Sequence, residues 1–279
     1  MPEGPEVRRE ADAISRALRG EPLVRAEYHV AGLRRRARAL EGAHVVRAWS
    51  HGKALLIAFD AGLVHYSHHQ LYGRWRVGPA GCEPDAGRAV RVVLATARRA
   101  AILYSATDVA LIEAGDLDAH PFLARLGPDA LDRATTPGHV AARLLDRRFA
   151  HRTLGHLLLD QHFVAGLGNY LRSDILHAAG LRADARPAEL PPGAIERLSH
   201  AIVALPRRSY RTAGVTNEPD RARRLAERGV SRDELRFLVY ARDGRPCWTC
   251  GTPIRRADAA GRGWFLCPRC QPARRMRSR

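Results

Sequence analysis

Ala54-Leu55-Leu56-Ile57-Ala58-Phe59-Asp60-Ala61-Gly62-Leu63-Val64-His65-Tyr66 decides how the first half of the chain folds. Two short apolar runs separated by an Asp-Ala-Gly turn read as paired β-strands, because each is too brief for a helix and rich in branched residues. The same pattern extends over roughly residues 23–112. Trp75-Arg76-Val77 follows, then Val90 to Thr96 and Ala101 to Ser105, joined through Arg98-Arg99. Several short strands linked by hairpin turns predict a β-sandwich or barrel. The domain should end near Pro121 to Pro128.

On either side the period becomes helical. At the start, Pro5 suits the first helical position, Glu6 lies in the positive first turn, and Val7, Ala11, Ile14 and Leu18 recur at helical spacing before Gly20 ends the segment. Beyond the strands, Thr136-Pro137 is an N-cap followed by proline, opening a helix through Val140, Leu144 and Leu145. A second helix carries Leu154, Leu157 and Leu158. A third begins around Gly168-Asn169-Tyr170, and a fourth runs from Gly193 to Leu205 and stops at Pro206. Residues 213–235, dense in charge, predict a mobile loop with a short helix.

The 279 residues carry 46 Lys and Arg against 29 Asp and Glu, a formal charge of +17. A phosphate backbone is the commonest target of such a surface. No apolar run approaches the roughly 20 residues that span a bilayer, and there is no signal-peptide pattern at the N-terminus. The expectation is a soluble, cytoplasmic nucleic-acid binder. The arginine-rich tail Arg274 to Arg279 is expected to be disordered and to add non-specific phosphate attraction.

Four of the five cysteines form Cys247-x2-Cys250 and Cys267-x2-Cys270 with sixteen residues between the pairs, the spacing of a tetrahedral zinc site. Four thiolate ligands leave no position for a catalytic water, so one structural Zn2+ is expected. The intervening segment can form a hairpin that presents Arg255, Arg256, Arg262 or Arg269 to nucleic acid. Cys82 stands alone. Asp160 to Asn169 joins two helices through a glycine-containing turn, where backbone amides and the Asn169 side chain could meet a phosphate. Taken alone, such a turn is more often an ordinary packing corner between two helices.

Of the 46 cations only Lys53 is a lysine, in His51-Gly52-Lys53-Ala54. Lysine can give up a proton on burial and arginine cannot, which offers a chemical reason for the exception; codon bias is the alternative. His68-His69-Gln70-Leu71-Tyr72-Gly73 gathers an amide, an aliphatic and an aromatic side chain that could wedge into a base stack, or simply form a hairpin tip. The paired histidines have no Asp, Glu or Cys close in sequence to complete a metal site. At the N-terminus, removal of Met1 would expose the secondary amine of Pro2 beside the carboxyl of Glu3. Such an amine can attack a deoxyribose C1′ and form an iminium ion, and the carboxyl can move protons on the sugar.

With Met1-Pro2-Glu3-Gly4-Pro5-Glu6-Val7-Arg8, Gly52-Lys53-Ala54-Leu55-Leu56, Tyr66 to Gly73 and the four-cysteine segment in this order, the chain resembles the formamidopyrimidine-DNA glycosylase and endonuclease VIII family over nearly its whole length. Gly4, Gln70-Leu71-Tyr72, His120 to Asp129 and Gly166 to Arg172 are similar to the endonuclease VIII branch. The resemblance implies an enzyme of base-excision repair that removes oxidised bases, chiefly pyrimidines, and then cleaves the abasic site by β,δ-elimination. It implies Pro2 as the Schiff-base nucleophile, Glu3 as proton donor to the sugar, Lys53 in base loss and β-elimination, and Arg262 in δ-elimination. Gln70, Leu71 and Tyr72 would fill the gap left by the everted nucleotide, while Gln70, Arg125 and Asn169 would hold DNA.

The expected organisation is α+β: a helix and catalytic β-sandwich domain over residues 1–125, a helical DNA-binding domain with a helix-two-turn-helix over 126–240, a zinc finger over 241–271 and a basic tail over 272–279. The expected partner is damaged duplex DNA, met by a monomer that would be nucleoid-associated in a bacterium. A non-catalytic zinc-finger protein that binds damaged DNA or serves as an architectural factor, and a purine-lesion glycosylase of the same family, are the competing readings. Two departures bear on the resemblance. Asp174 stands where the family commonly has Glu, and residues 213–235 are longer than in the familiar enzyme.

Overall fold

The computed structural model describes residues 2–81, 87–259 and 261–273; Cys82, Met1 and the tail 274–279 lie outside the described residues. The chain divides into two units, Met1–Arg125 and Leu126–Arg279.

The first unit opens with α1 (Gly4–Leu18), one residue earlier than Pro5 predicts. Proline fits at the second position because the first four N–H groups of a helix lack intrahelical partners. Then come β1 (Arg25–Tyr28), α2 (Arg34–Ala37), β2 (Val45–His51), β3 (Ala54–Phe59), β4 (Leu63–His68), β5 (Arg74–Pro79), β6 (Val90–Ala95), β7 (Arg99–Tyr104) and β8 (Asp108–Glu113). They form two antiparallel sheets, ordered β2-β3-β4-β8 and β1-β6-β7-β5. Leu55, Ile57 and Phe59 from one sheet share a core with Val92, Leu94, Ala101 and Leu103 from the other. Val7, Ala11, Ile14 and Leu18 bring the apolar stripe of α1 into that core. This is the sandwich that the alternation predicts.

One core histidine sets a pH response. His65 is wholly buried, shares a 2.9 Å hydrogen bond between Nδ1 and the Tyr28 hydroxyl, and meets the Trp75 ring edge-on at 5.3 Å. Burial, helped by the neighbouring His69, pulls its pKa from 6.5 down to about 3. Between these values the unfolded chain binds the proton and the folded chain does not, so stability falls as pH falls through that window. The expected slope from His65 is at most about 1.4 kcal/mol per pH unit. Denaturant melts of the protein between pH 7 and 5 should show this loss, and His65→Gln should reduce the slope, with His177 and His68, also lowered by burial, supplying the remainder; an unchanged slope in that variant would assign the acid sensitivity elsewhere.

The second unit contains α3 (Pro137–Leu145), α4 (Leu154–Leu157), α5 (Asn169–Ala179), α6 (Pro192–Arg211), α7 (Pro219–Glu227), α8 (Arg232–Leu235) and the hairpin β9 (Arg255–Ala259) and β10 (Arg262–Leu266). The Thr136 hydroxyl accepts from His139 N–H at 3.2 Å, the expected cap of α3. Helix α6 does not stop at Pro206 but continues to Arg211 with Pro206 buried inside it. The residues past the proline are held from outside the helix: Arg207 Nη2 donates to Asp132 O and Thr135 O, and Ser209 Oγ lies 2.9 Å from the Tyr170 hydroxyl. Tertiary bonds thus override the one lost ladder bond. Leu154, Leu171, Ile175 and Ile202 form a core that also takes Trp264 and Leu266 of β10. No described helix is long and apolar enough to cross a membrane.

Candidate functional site

In the first unit the chemistry-bearing residues sit at element ends. Pro2 is partly accessible at the N-terminus of α1, and Glu3, its N-cap, is buried. The Glu3 N–H donates to Glu6 Oε2 at 3.0 Å, which fixes the first turn. Strands β2 and β3 are joined by two residues, Gly52 and Lys53, with His51 paired to Ala54. Gly52 has φ +59, the conformation that a two-residue hairpin requires at its first corner and that glycine supplies without strain. Lys53 occupies the second corner and is buried, at 9% exposure.

After β4 the chain turns sharply. Gly73 N–H donates to His69 O at 2.7 Å, and a Cβ at Gly73 would lie 2.5 Å from that oxygen. Gln70 has a left-handed φ of +50, and its side-chain oxygen accepts the Thr107 hydroxyl. Between these fixed points Leu71 and Tyr72 project, 62% and 73% exposed. Arg125, also exposed, donates from Nε to Pro121 O at 2.8 Å.

In the second unit Gln161 holds the turn ahead of α5: Nε2 donates to Leu159 O and Leu167 O, and Oε1 accepts from Gly166 N–H at 3.0 Å. Gly168, and not Asn169, is the N-cap of α5. The Asn169 side chain donates instead to Gly263 O at 2.9 Å. That contact places it next to Arg262, whose side chain is exposed on the hairpin. Arg172 makes the junction rigid. Wholly buried, it donates from Nη1 to Ala259 O at 2.9 Å and from Nη2 to Asn169 Oδ1 at 2.7 Å and Arg262 O at 3.2 Å. The sequence signal for this role was a single arginine in a helix with no other Lys or Arg.

Asp174, also on α5, is wholly buried. Its carboxylate accepts Val239 N–H at 2.9 Å, Leu238 N–H at 3.0 Å and Tyr240 N–H at 3.1 Å, together with the Thr216 hydroxyl. Burial pushes its pKa up and these donors pull it back. Because Thr216 is held and Asn217 Nδ2 donates to Leu235 O at 3.0 Å, the 213–235 stretch is pinned at both ends. It carries two helices rather than a mobile loop with one. Helix α7 between the pins buries no residue.

The sulfurs of Cys247, Cys250, Cys267 and Cys270 all lie within 4.8 Å of one another. Burial and the adjoining sulfurs push the Cys270 thiol up. Four such thiols cannot all ionise without a cation among them, so the set fits a metal ion. Among the described residues His68 and His69 belong to no such cluster.

Residues 1–108 match the model of the formamidopyrimidine-DNA glycosylase N-terminal domain, and residues 126–218 match that of the H2TH domain of the same enzyme. Endonuclease 8 of Klebsiella pneumoniae (strain 342) is 45% identical over 271 residues, which cover 97% of this chain and 100% of that protein. Endonuclease 8 of Escherichia coli O17:K52:H18 is 43% identical with the same coverage. Among solved structures, a complex of the Lactococcus lactis formamidopyrimidine-DNA glycosylase with DNA containing N7-benzyl-Fapy-dG has a TM-score of 0.80 at 20% identity, covering 98% of this chain and 100% of that one. With the two domain models in order and full-length relatives well above 30% identity, the chain belongs to the formamidopyrimidine-DNA glycosylase and endonuclease VIII family.

Proposed function

We propose that this chain excises oxidised bases, chiefly pyrimidines, from duplex DNA as a monomer and then nicks the abasic strand. The observation that carries the reading is the accessible Pro2 followed by the buried carboxyl of Glu3 at the start of a fifteen-residue helix. The positive end of the helix dipole favours an uncharged, nucleophilic amine there.

With Met1 removed, the Pro2 nitrogen attacks C1′ as the C1′ to base bond breaks and the base leaves with a proton. Glu3 protonates the sugar ring oxygen as the ring opens, and loss of the amine proton gives the iminium. That cation draws electrons from the sugar, so loss of a C2′ proton expels the 3′ phosphate. A second elimination then expels the 5′ phosphate. Lys53 is assigned to proton transfer in base loss and the first elimination, and Arg262 to phosphate stabilisation in the second. Leu71 and Tyr72 fill the stack vacated by the flipped nucleotide, which costs a few kcal/mol and least for a damaged base. Gln70, Arg125 and Asn169 hold the strands.

Zinc suits the cysteine set. Sulfurs at about 2.3 Å from a tetrahedral ion lie about 3.8 Å apart, and the Cys247–Cys270 and Cys250–Cys270 separations are 3.9 and 3.6 Å. When bound, the ion holds the hairpin folded and takes no part in the chemistry. A DNA substrate supports the reading of a cytoplasmic enzyme that is nucleoid-associated in a bacterium.

The test is a panel of duplexes containing thymine glycol, 8-oxoguanine or an abasic site, incubated with processed protein and borohydride. Covalent adducts on the abasic and thymine-glycol duplexes, with 8-oxoguanine slower, are expected. No adduct on any of them would return the chain to the non-catalytic DNA-binding reading.

A further inference from the structure

The projecting turn is rooted by a pair that has no role in the chemistry above. His69 Nε2 lies 2.6 Å from Glu10 Oε2; the ring is 2% exposed and the carboxylate side chain 23%. Glu10 lies on α1, one helical turn beyond Glu6 on the same face. Glu6 in turn receives the N–H of Glu3. The root of the turn and the residue next to Pro2 therefore each meet a carboxylate on the same face of α1, Glu10 for His69 and Glu6 for Glu3.

The turn itself has little room to adjust. Its Gly73 N–H is bonded to His69 O, any side chain at Gly73 would meet that oxygen, and Gln70 is held in the left-handed region with its side-chain oxygen on Thr107. A load placed on Leu71 and Tyr72 is passed to the anchors rather than absorbed within the turn. His69 is the anchor that reaches α1.

We propose that Glu10 and His69 form a positioning pair that registers the projecting turn on the helix carrying Pro2, so that insertion into the base stack and presentation of C1′ to the amine occur together. The inference rests on the glycosylase and lyase reading. Without the pair the turn still inserts, but the sugar reaches the amine in fewer insertions, and kcat falls more than KM rises.

The test uses full-length, Met1-processed protein with Glu10→Gln, His69→Gln and the double variant. Glu10→Gln is nearly isosteric at a partly exposed position, so it retains the fold even if the buried His69→Gln does not; melting temperatures check this. Single-turnover excision of thymine glycol from a duplex is expected to fall roughly tenfold in each single variant and no further in the double, as for two groups that act through one contact. A 2-aminopurine beside the lesion should report insertion of near-normal amplitude, which a merely misfolded turn would not give. Trapping on a single-stranded abasic oligonucleotide, which has no stack to fill, should lose about fivefold less than duplex excision. Wild-type duplex excision by Glu10→Gln, losses that multiply in the double variant, or equal losses on both substrates would overturn the pairing. Absence of trapping by the wild-type protein itself would instead overturn the underlying function.

Discussion

Pro2→Gly is expected to slow base excision and strand nicking by roughly 10²- to 10⁴-fold at neutral pH, the contribution of a positioned catalytic group. The substitution leaves a primary amine, so borohydride should still trap a trace of adduct. What disappears is the constrained secondary nitrogen proposed as nucleophile, next to the helix start that Glu3 and Glu6 fix. A protein in which Met1 is retained should be inactive in both steps, because its Pro2 nitrogen is an amide. Lys53→Arg separates charge from proton transfer in the same assay. The hairpin corner keeps its cation, and base excision should fall while trapping on a ready-made abasic site falls less. Wild-type kinetics in Pro2→Gly would remove the assigned nucleophile, and wild-type kinetics in Lys53→Arg would return the lone lysine to codon bias. The two steps are followed on gels by heating one aliquot in alkali, which reveals excised but uncut strands, and leaving the other untreated.

The features legible in the sequence are those fixed by local chemistry. The strands β3 and β4 show because one core covers them and a turn residue separates them, and the cap of α3 shows because Thr136 acts within its own turn. Strand β2 hides for the opposite reason. A register shift between Val45 and Arg47 breaks its alternation, and its pairing is set by β3. Asn169 reads in sequence as a phosphate contact at a helix start, yet its amide is taken by Gly263, a residue 94 positions away. Arg172 and Asp174 follow the same rule: both are wholly buried charged groups on one helix, and each is satisfied by backbone from segments remote in sequence. Glu10 and His69 are unremarkable one-dimensional neighbours of motifs, and become partners only once α1 lies on the sheets. Long-range partners of buried polar groups are what a single sequence cannot supply.

Cys267→Ser should abolish metal binding and weaken DNA binding by about one to two orders of magnitude, a loss on the scale of that seen when a metal site is impaired. Cys267 is wholly buried, its N–H donates to Gln271 Oε1 at 3.0 Å, and Gln271 Nε2 donates to Leu181 O at 2.6 Å. The metal site is thereby tied into the helical core. Structural zinc contributes on the order of 10 kcal/mol to the folding of small metal-bound segments. Without it β9 and β10 lose their frame, and with them go the carbonyls of Ala259, Arg262 and Gly263 that receive Arg172 and Asn169. The phosphate contacts assigned to Asn169 and Arg262 are then lost together. The slope of log K against log salt should drop by about 1 to 2, since each lost phosphate contact contributes about 0.9. The β-sandwich has its own core, and its pH-dependent melt through His65 should persist in this variant. Elemental analysis decides the case: one zinc per wild-type chain and none in Cys267→Ser supports four thiolate ligands, whereas full zinc content in the variant refutes them.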